Sequence, residues 1–356
     1  MKIAVIGSGN GGQAIAGYLA ICGHLVTLYG RSAEVIDSIK TRGGIKLEGC
    51  INGYGKLSLV TTSLPKAIHG ANIIMIVTTA NAHGTLAEEM APYLEDGQII
   101  TLNPGRTGGA LEFHGALKRK SFRKRIYIAE AQTLVYACRV KAPGIVQVIG
   151  IKDKVLLATL PASDIDHVIN SLQELYPCFI PAENVLRTSF ENIGAIFHPS
   201  IVLFNAATIE RGVSFYFYRE MTPHIASFIE AIDVERLAVA QAYGINIISA
   251  KDWVSYAYKD IKGNTLCERL ISNPAYHEIL APNTIFCRQL YEDIPTGFVP
   301  IAALGEIVNV KTPLINALIT ICSELLGTDL YNDGRTLAKM GLAGCNNAGD
   351  VLKLIK

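Results

Sequence analysis

The first half of the chain alternates short apolar runs with stretches of helical spacing. Lys2–Ile6 and Leu25–Tyr29 are apolar, β-branched runs with the length of buried parallel strands. Between them, Ala14, Ile15, Tyr18 and Leu19 recur at three- and four-residue intervals from Gln13 onward, which predicts a helix. Asn72–Thr78, Gln98–Leu102, Ile126–Ala129 and Val155–Leu160 predict further strands, and Leu64–Gly70, Ala82–Leu94 and Asp164–Leu175 predict helices among them. This order predicts an α/β doubly wound sheet over residues 1–187. The pattern changes near Thr188. From Glu191 it is helical, through Ile196–Ile209 and Pro223–Tyr243 to a last helix near Ala317–Leu326. Pro and Gly mark Tyr256–Pro282 and Tyr291–Pro300 as loops, and an all-α domain is expected over 188–356.

The turn after the first strand reads Gly7-Ser8-Gly9-Asn10-Gly11-Gly12. G-x-G-x-x-G between a strand and a helix is the setting of a Rossmann-type dinucleotide site. Gly7 permits the tight turn, Gly9 lets the backbone approach a pyrophosphate, and Gly12 lets helix and strand pack closely. The first helical N–H groups and the helix dipole then favour the phosphate charge. An acid at the end of the second strand would hold the ribose 2′-hydroxyl of NAD. This strand ends Thr27-Leu28-Tyr29-Gly30-Arg31-Ser32, without a carboxylate. Arg31 can pair with a 2′-phosphate and Ser32 can add a hydrogen bond, so NADP is expected ahead of NAD.

Bulk properties narrow the class. A chain of 356 residues, half of them hydrophobic, is expected to form two domains. A net charge of +1 leaves no electrostatic footprint for nucleic acid. The basic run from Lys118 to Arg125 is expected to be a solvated loop before a strand. The eight cysteines are scattered without metal-ligand spacing, as expected of reduced, mostly buried thiols in the cytoplasm. No apolar run reaches membrane-spanning length, and the first strand starts too early for a cleaved leader, so a soluble protein is expected.

Three stretches narrow the reaction: Asn103-Pro-Gly-Arg-Thr-Gly-Gly109, Glu191-Asn-Ile-Gly-Ala-Ile-Phe-His-Pro199 and Arg288-Gln-Leu-Tyr-Glu-Asp-Ile-Pro-Thr-Gly-Phe-Val-Pro300. Together the chain resembles, over nearly its whole length, the opine dehydrogenase family of octopine and nopaline dehydrogenases. The resemblance implies reductive condensation: an amino acid amine adds to the ketone of a 2-oxo acid, water leaves, and NAD(P)H reduces the imine. Pyruvate and 2-oxoglutarate lead on family grounds. The resemblance makes His198 the catalytic histidine, Asp293 its carboxylate partner and Arg288 the holder of a substrate carboxylate. The chemistry agrees: histidine suits the deprotonation of an ammonium, an aspartate on its other nitrogen fixes the tautomer, and a guanidinium fork orients a carboxylate. Asn103 is expected at the cofactor, and Glu130, at a strand end, at a substrate amine. Arg106 would repel a cationic substrate side chain, so arginine is not the first choice. His198 and Asp293 are expected to meet across the domain cleft, Asp293 on a loop stiffened by Pro295 and Gly297. A homodimer is possible.

Two alternatives remain. A simple 2-oxo or hydroxy acid dehydrogenase of the 6-phosphogluconate dehydrogenase-like group tends to use a lysine on the first helix of its second domain, and Glu191–Asn205 has none. A non-catalytic NADP-binding regulatory protein would leave His198, Arg288 and Asp293 without a purpose.

Overall fold

The computed structural model describes residues 1–356. They divide into two compact units, Met1–Ser189 with Leu354–Lys356, and Phe190–Lys353.

The first unit is built on an eight-stranded sheet whose central strands are parallel, buried and β-branched. β1 (Lys2–Ile6) pairs with β2 (Leu25–Tyr29), and β3 (Gly44–Gly49) and β4 (Gly53–Lys56) leave that sheet to form a second one. β5 (Leu59–Thr61), β6 (Ile73–Ile76), β7 (Ile99–Leu102) and β8 (Tyr127–Ala131) return to the first sheet. β9 (Tyr136–Ala142) and β10 (Ile145–Ile151) join the second sheet, while β11 (Val155–Leu160) and β12 (Phe179–Pro181) complete the first. The large sheet runs β12-β11-β8-β7-β6-β1-β2-β5, with β11 antiparallel to β8. Strand order reverses at β1, so the crevice beyond the carboxyl ends of β1 and β6 is the switch point where such sheets bind ligands.

The four-stranded sheet, β4-β3-β10-β9, is absent from the periodicity reading. Its signal is alternation rather than an apolar run: Ile45 and Leu47, or Val146 and Val148, point inward while their neighbours are polar or exposed. This sheet packs on the helix Asn10–Ile21, where a Cβ on Gly17 would lie 2.9 Å from Ile45. Covered by both sheets, that helix buries Ala14, Ile15, Ala16 and Leu19 in succession. The basic run is also not simply a loop, because Lys118 and Arg119 form the last turn of the helix Gly109–Arg119.

The second unit holds helices and one isolated bridge, Tyr216 with Leu280. The helices Ile193–Phe204, Pro223–Ala242 and Pro313–Leu326 form where apolar spacing predicts them. Ala317–Leu326 is not the last helix; Ala348–Ile355 follows. Of the two stretches read as loops, the first contains the helix Leu266–Ser272 and the second, Tyr291–Pro300, is helical almost throughout. Pro295 and Pro300 misled that reading. Each sits in the first turn of its helical segment, where no N–H is required of it. No helix is long and apolar enough to cross a membrane. All eight cysteines are unpaired, but only Cys267, Cys287 and Cys322 are buried, and Cys22 and Cys50 are exposed.

Candidate active site

The glycine turn has the geometry its sequence requires. Gly7 has φ 122°, its N–H donates to Tyr29 O at 2.9 Å, and a Cβ there would strike Val77 O at 2.5 Å. A Cβ at Gly12 would lie 1.8 Å from Gly7 O, so only glycine lets the helix pass this close to the strand. At Gly9 the same position is open for 4 Å, a cradle for a bulky anion above the helix N-terminus. The helix starts at Asn10 rather than Gln13, and the Asn10 side chain is engaged within the unit, its Oδ1 accepting from Val140 N at 2.8 Å. Gln13 steadies the turn, donating to Ser8 O at 2.7 Å and accepting from Gly144 N at 2.8 Å.

The missing acid of the second strand has a steric cause. A Cβ on Gly30 would sit 2.2 Å from Ser8 Oγ, so a side chain there collides with the turn. Arg31 and Ser32 are exposed, and the Ser32 hydroxyl caps the helix Ala33–Arg42 by accepting from Val35 N at 3.4 Å. Its proton remains available to an acceptor. Beyond β7, Asn103 is 2% exposed, donates to Thr101 O at 2.9 Å and keeps Oδ1 buried without a partner. Such an atom fits a site completed by a ligand donor.

Glu130 is not placed for a substrate. It is 0% exposed, inside β8 rather than after it. Its Oε2 accepts from Ala110 N at 2.8 Å, in the first turn of the helix Gly109–Arg119, and its Oε1 accepts from Thr188 Oγ1 at 2.5 Å and Ser189 Oγ at 3.3 Å. Ser189 also accepts from Thr107 Oγ1 and Gly108 N, at 3.1 Å through its carbonyl and 2.9 Å through its hydroxyl. The carboxylate ties the strand end, a helix start and the segment 188–189 together. A substrate amine would have to displace these bonds.

In the second unit, 95 residues of separation close to a hydrogen bond. His198 Nδ1 lies 2.6 Å from Asp293 Oδ2. Both belong to this unit, so the pair does not span two domains. His198 sits on the helix Ile193–Phe204, which Ile196 and Ile201 bury, with its side chain 24% exposed. Asp293 immediately precedes the π-helical turn Ile294–Phe298 rather than lying in a loop. That turn approaches the His198 helix through Gly297, where a Cβ would come within 2.3 Å of Ala195 Cβ. A carboxylate can only accept, so Nδ1 carries the ring hydrogen and Nε2 keeps the lone pair. Nε2 lies 2.9 Å from the Tyr218 hydroxyl, a contact missed from sequence. Its trace there is the run Phe215-Tyr216-Phe217-Tyr218 in a stretch without helical spacing.

Arg288 is near this pair in sequence but already has a partner. Its Nε and Nη2 engage the Glu292 carboxylate one helical turn on, the Nη2 contact at 3.0 Å, and this pairing holds the guanidinium firmly charged. Glu292 is buried, whereas the Arg288 side chain is 59% exposed. One unit carries a glycine turn at a helix N-terminus; the other carries an imidazole with a fixed tautomer and a half-exposed guanidinium.

Comparison with known proteins agrees with both halves. Residues 181–326 match the model of the NAD/NADP octopine/nopaline dehydrogenase alpha-helical domain, and residues 2–105 match that of the NAD-dependent glycerol-3-phosphate dehydrogenase N-terminus. The chain is 40% identical to an opine dehydrogenase of Arthrobacter sp. (strain 1C) over 97% of its length and 96% of that protein. It is 26% identical to the octopine dehydrogenase of Mizuhopecten yessoensis, covering 95% of this chain and 93% of that one. A solved octopine dehydrogenase structure with NADH and L-arginine shares the fold, with TM-score 0.83 and 22% identity over 99% of this chain and 98% of that chain. With a nucleotide-binding sheet, a helical unit built around His198 and this relationship along its length, the chain belongs to the opine dehydrogenase family, NAD(P)-dependent oxidoreductases that join the amine of an amino acid to a 2-oxo acid by reductive condensation.

Proposed function

We propose that His198 is the base of this condensation, with Asp293 as its orienting partner, and that the enzyme uses NADPH in preference to NADH. The observation that carries the reading is the short Asp293–His198 hydrogen bond on an imidazole that is 24% exposed. An amino acid arrives as an ammonium and attacks a ketone only after losing a proton. His198, its Nδ1–H committed to Asp293, takes that proton at Nε2 and holds it for the hydroxyl that leaves as water. The exposed guanidinium of Arg288 receives the carboxylate of the 2-oxo acid and orients its ketone. Gly7, Ser8, Gly9, Gly11 and Gly12, the backbone of Asn10, Asn103, Arg31 and Ser32 hold the cofactor, which supplies the hydride that reduces the imine. The blocked position at Gly30 and the exposed Arg31 support a 2′-phosphate. Pyruvate or 2-oxoglutarate is the oxo acid, and arginine is not the first choice of amino acid, because Arg106 lies in the loop after β7. Unpaired cysteines, two of them exposed, support a reducing compartment such as the cytoplasm.

The test is a matrix of amino acids against 2-oxo acids, followed by NADPH and NADH absorbance. Oxidation that needs both substrates, and is faster with NADPH, is expected. Oxidation by an oxo acid alone would assign a simple ketone reductase instead, and faster use of NADH would overturn the cofactor preference.

A further inference from the structure

We infer that the Tyr218 hydroxyl is the proton relay between the substrate amine and His198. This rests on the reading of His198 as base and adds the path by which the proton reaches it. An imidazole nitrogen has one in-plane lone pair, and at Nε2 it faces the Tyr218 hydroxyl at 2.9 Å. The phenol is held in that position. Its ring stacks on Tyr276 with centroids 4.1 Å apart and 19° between planes, and Phe217 meets it edge-on at 5.0 Å. Tyr258 backs Tyr276 at 5.1 Å, and Tyr218 is 6% exposed. The chain just before it is pinned as well, since Phe217 N donates to Ile279 O at 2.8 Å and Ala281 N to Phe215 O at 2.9 Å. His198 is fixed from its other side by Asp293. Freeing Nε2 for direct contact with an ammonium would require unstacking this aromatic cluster.

A hydroxyl has one proton to give and two lone pairs to receive with, so the aromatic cluster need not move. In the first transfer the ammonium N–H bond breaks as a new O–H bond forms on Tyr218, and the original Tyr218 proton passes to Nε2. The amine then carries the electron pair that attacks the ketone. In the return, Nε2–H gives its proton to Tyr218, and Tyr218 passes its own to the carbinolamine hydroxyl. The adduct's own proton has by then moved from nitrogen to the alkoxide oxygen to make that hydroxyl, and the group leaves as water with the C–O bonding pair, generating the protonated imine that takes the hydride. One proton moves each way, no electrons are exchanged, and the phenol is regenerated.

Tyr218→Phe keeps the ring stack and removes the relay. With pyruvate and the amino acid that best supports NADPH oxidation, the single-turnover rate should fall on the order of 10²-fold, the scale of a positioned proton-transfer group. Both KM values and NADPH affinity should stay within about twofold of the parent, a split that loss of packing alone would not give. The unmodified enzyme adds a measurement that needs no variant: its single-turnover rate against D2O fraction should curve, as two protons in flight require, and become linear in Tyr218→Phe. A linear dependence in the unmodified enzyme, or a folded Tyr218→Phe enzyme at the parent rate, overturns the relay. His198→Ala separates the two readings. If it is inactive while Tyr218→Phe is unaffected, the relay alone fails; if it keeps the parent rate, the base assignment fails first.

Discussion

Two carboxylates buried to nearly the same depth have opposite surroundings. Glu130, 0% exposed in the first unit, receives a backbone N–H at a helix start and two hydroxyls. Asp293, 3% exposed in the second, meets an imidazole that is 24% exposed. Depth is therefore the same and the partners differ: Glu130 meets donors that keep their protons near neutral pH, whereas Asp293 meets a ring that can titrate there, the contrast on which the proposed roles rest.

The largest effect that can test this contrast is the loss of His198. His198→Ala should lower turnover on the order of 10²–10⁴-fold, the range for a general base, with NADPH binding retained by fluorescence titration. Asp293→Asn should remove much of the same benefit, and the double variant little more, because members of one catalytic unit are not additive. Full additivity would separate the two residues and break the comparison.

In the first unit the effects should appear as binding rather than turnover. Arg31→Ala should weaken NADPH by about 1–3 kcal/mol, the worth of a charge-assisted hydrogen bond, and leave NADH unchanged. Titration of both cofactors checks it, and equal losses would move Arg31 away from the 2′-phosphate. Smaller again is Arg288→Lys, which keeps the charge and loses the fork. The KM of the oxo acid should rise about tenfold, one lost oriented hydrogen bond, with a lower kcat and no change in cofactor affinity. A change in cofactor affinity alone would assign Arg288 to the nucleotide.

The smallest effect on turnover is expected at Glu130. Glu130→Gln replaces an acceptor-only group with an amide that must present a donor to at least one of its partners. Stability should fall by about 1–3 kcal/mol, read as a lower thermal midpoint, while kcat of the folded enzyme stays within about twofold. If kcat fell with the midpoint unchanged, Glu130 would belong with Asp293 after all.

The same contrast explains what the sequence reveals. Gly7, Gly9 and Gly12 act through the backbone within six consecutive residues, so their roles are legible from spacing. β1, β2 and β11 are legible because full burial writes continuous apolar runs. The second sheet is harder because one solvated face turns its strands into alternation with glycine breaks, as in Gly44–Gly49. His198 and Asp293 are 95 residues apart, and only the resemblance of their two motifs joins them before the fold is known. Glu130 was misplaced because a strand-end acid reads the same whether it faces a crevice or a helix start. The contact of Tyr218 is not legible because it depends on where Nε2 points, which follows from Asp293 occupying Nδ1.

The contact between positions 8 and 30 also bears on how such an enzyme can change over generations. An acid at residue 30 finds the Ser8 hydroxyl in its way at 2.2 Å. The two sites are thus expected to be epistatic: Gly30→Asp collides with Ser8, and reducing residue 8 to glycine leaves only the tip of Ile36, 3.0 Å from a Cβ there, to give way. A lineage drifting toward NAD would have to lose the serine first, a step with no benefit of its own. On the proposed NADPH preference, the order of two mutations then guards the coenzyme, and a library that varies residues 8 and 30 together is expected to reach the other coenzyme more readily than one that varies residue 30 alone.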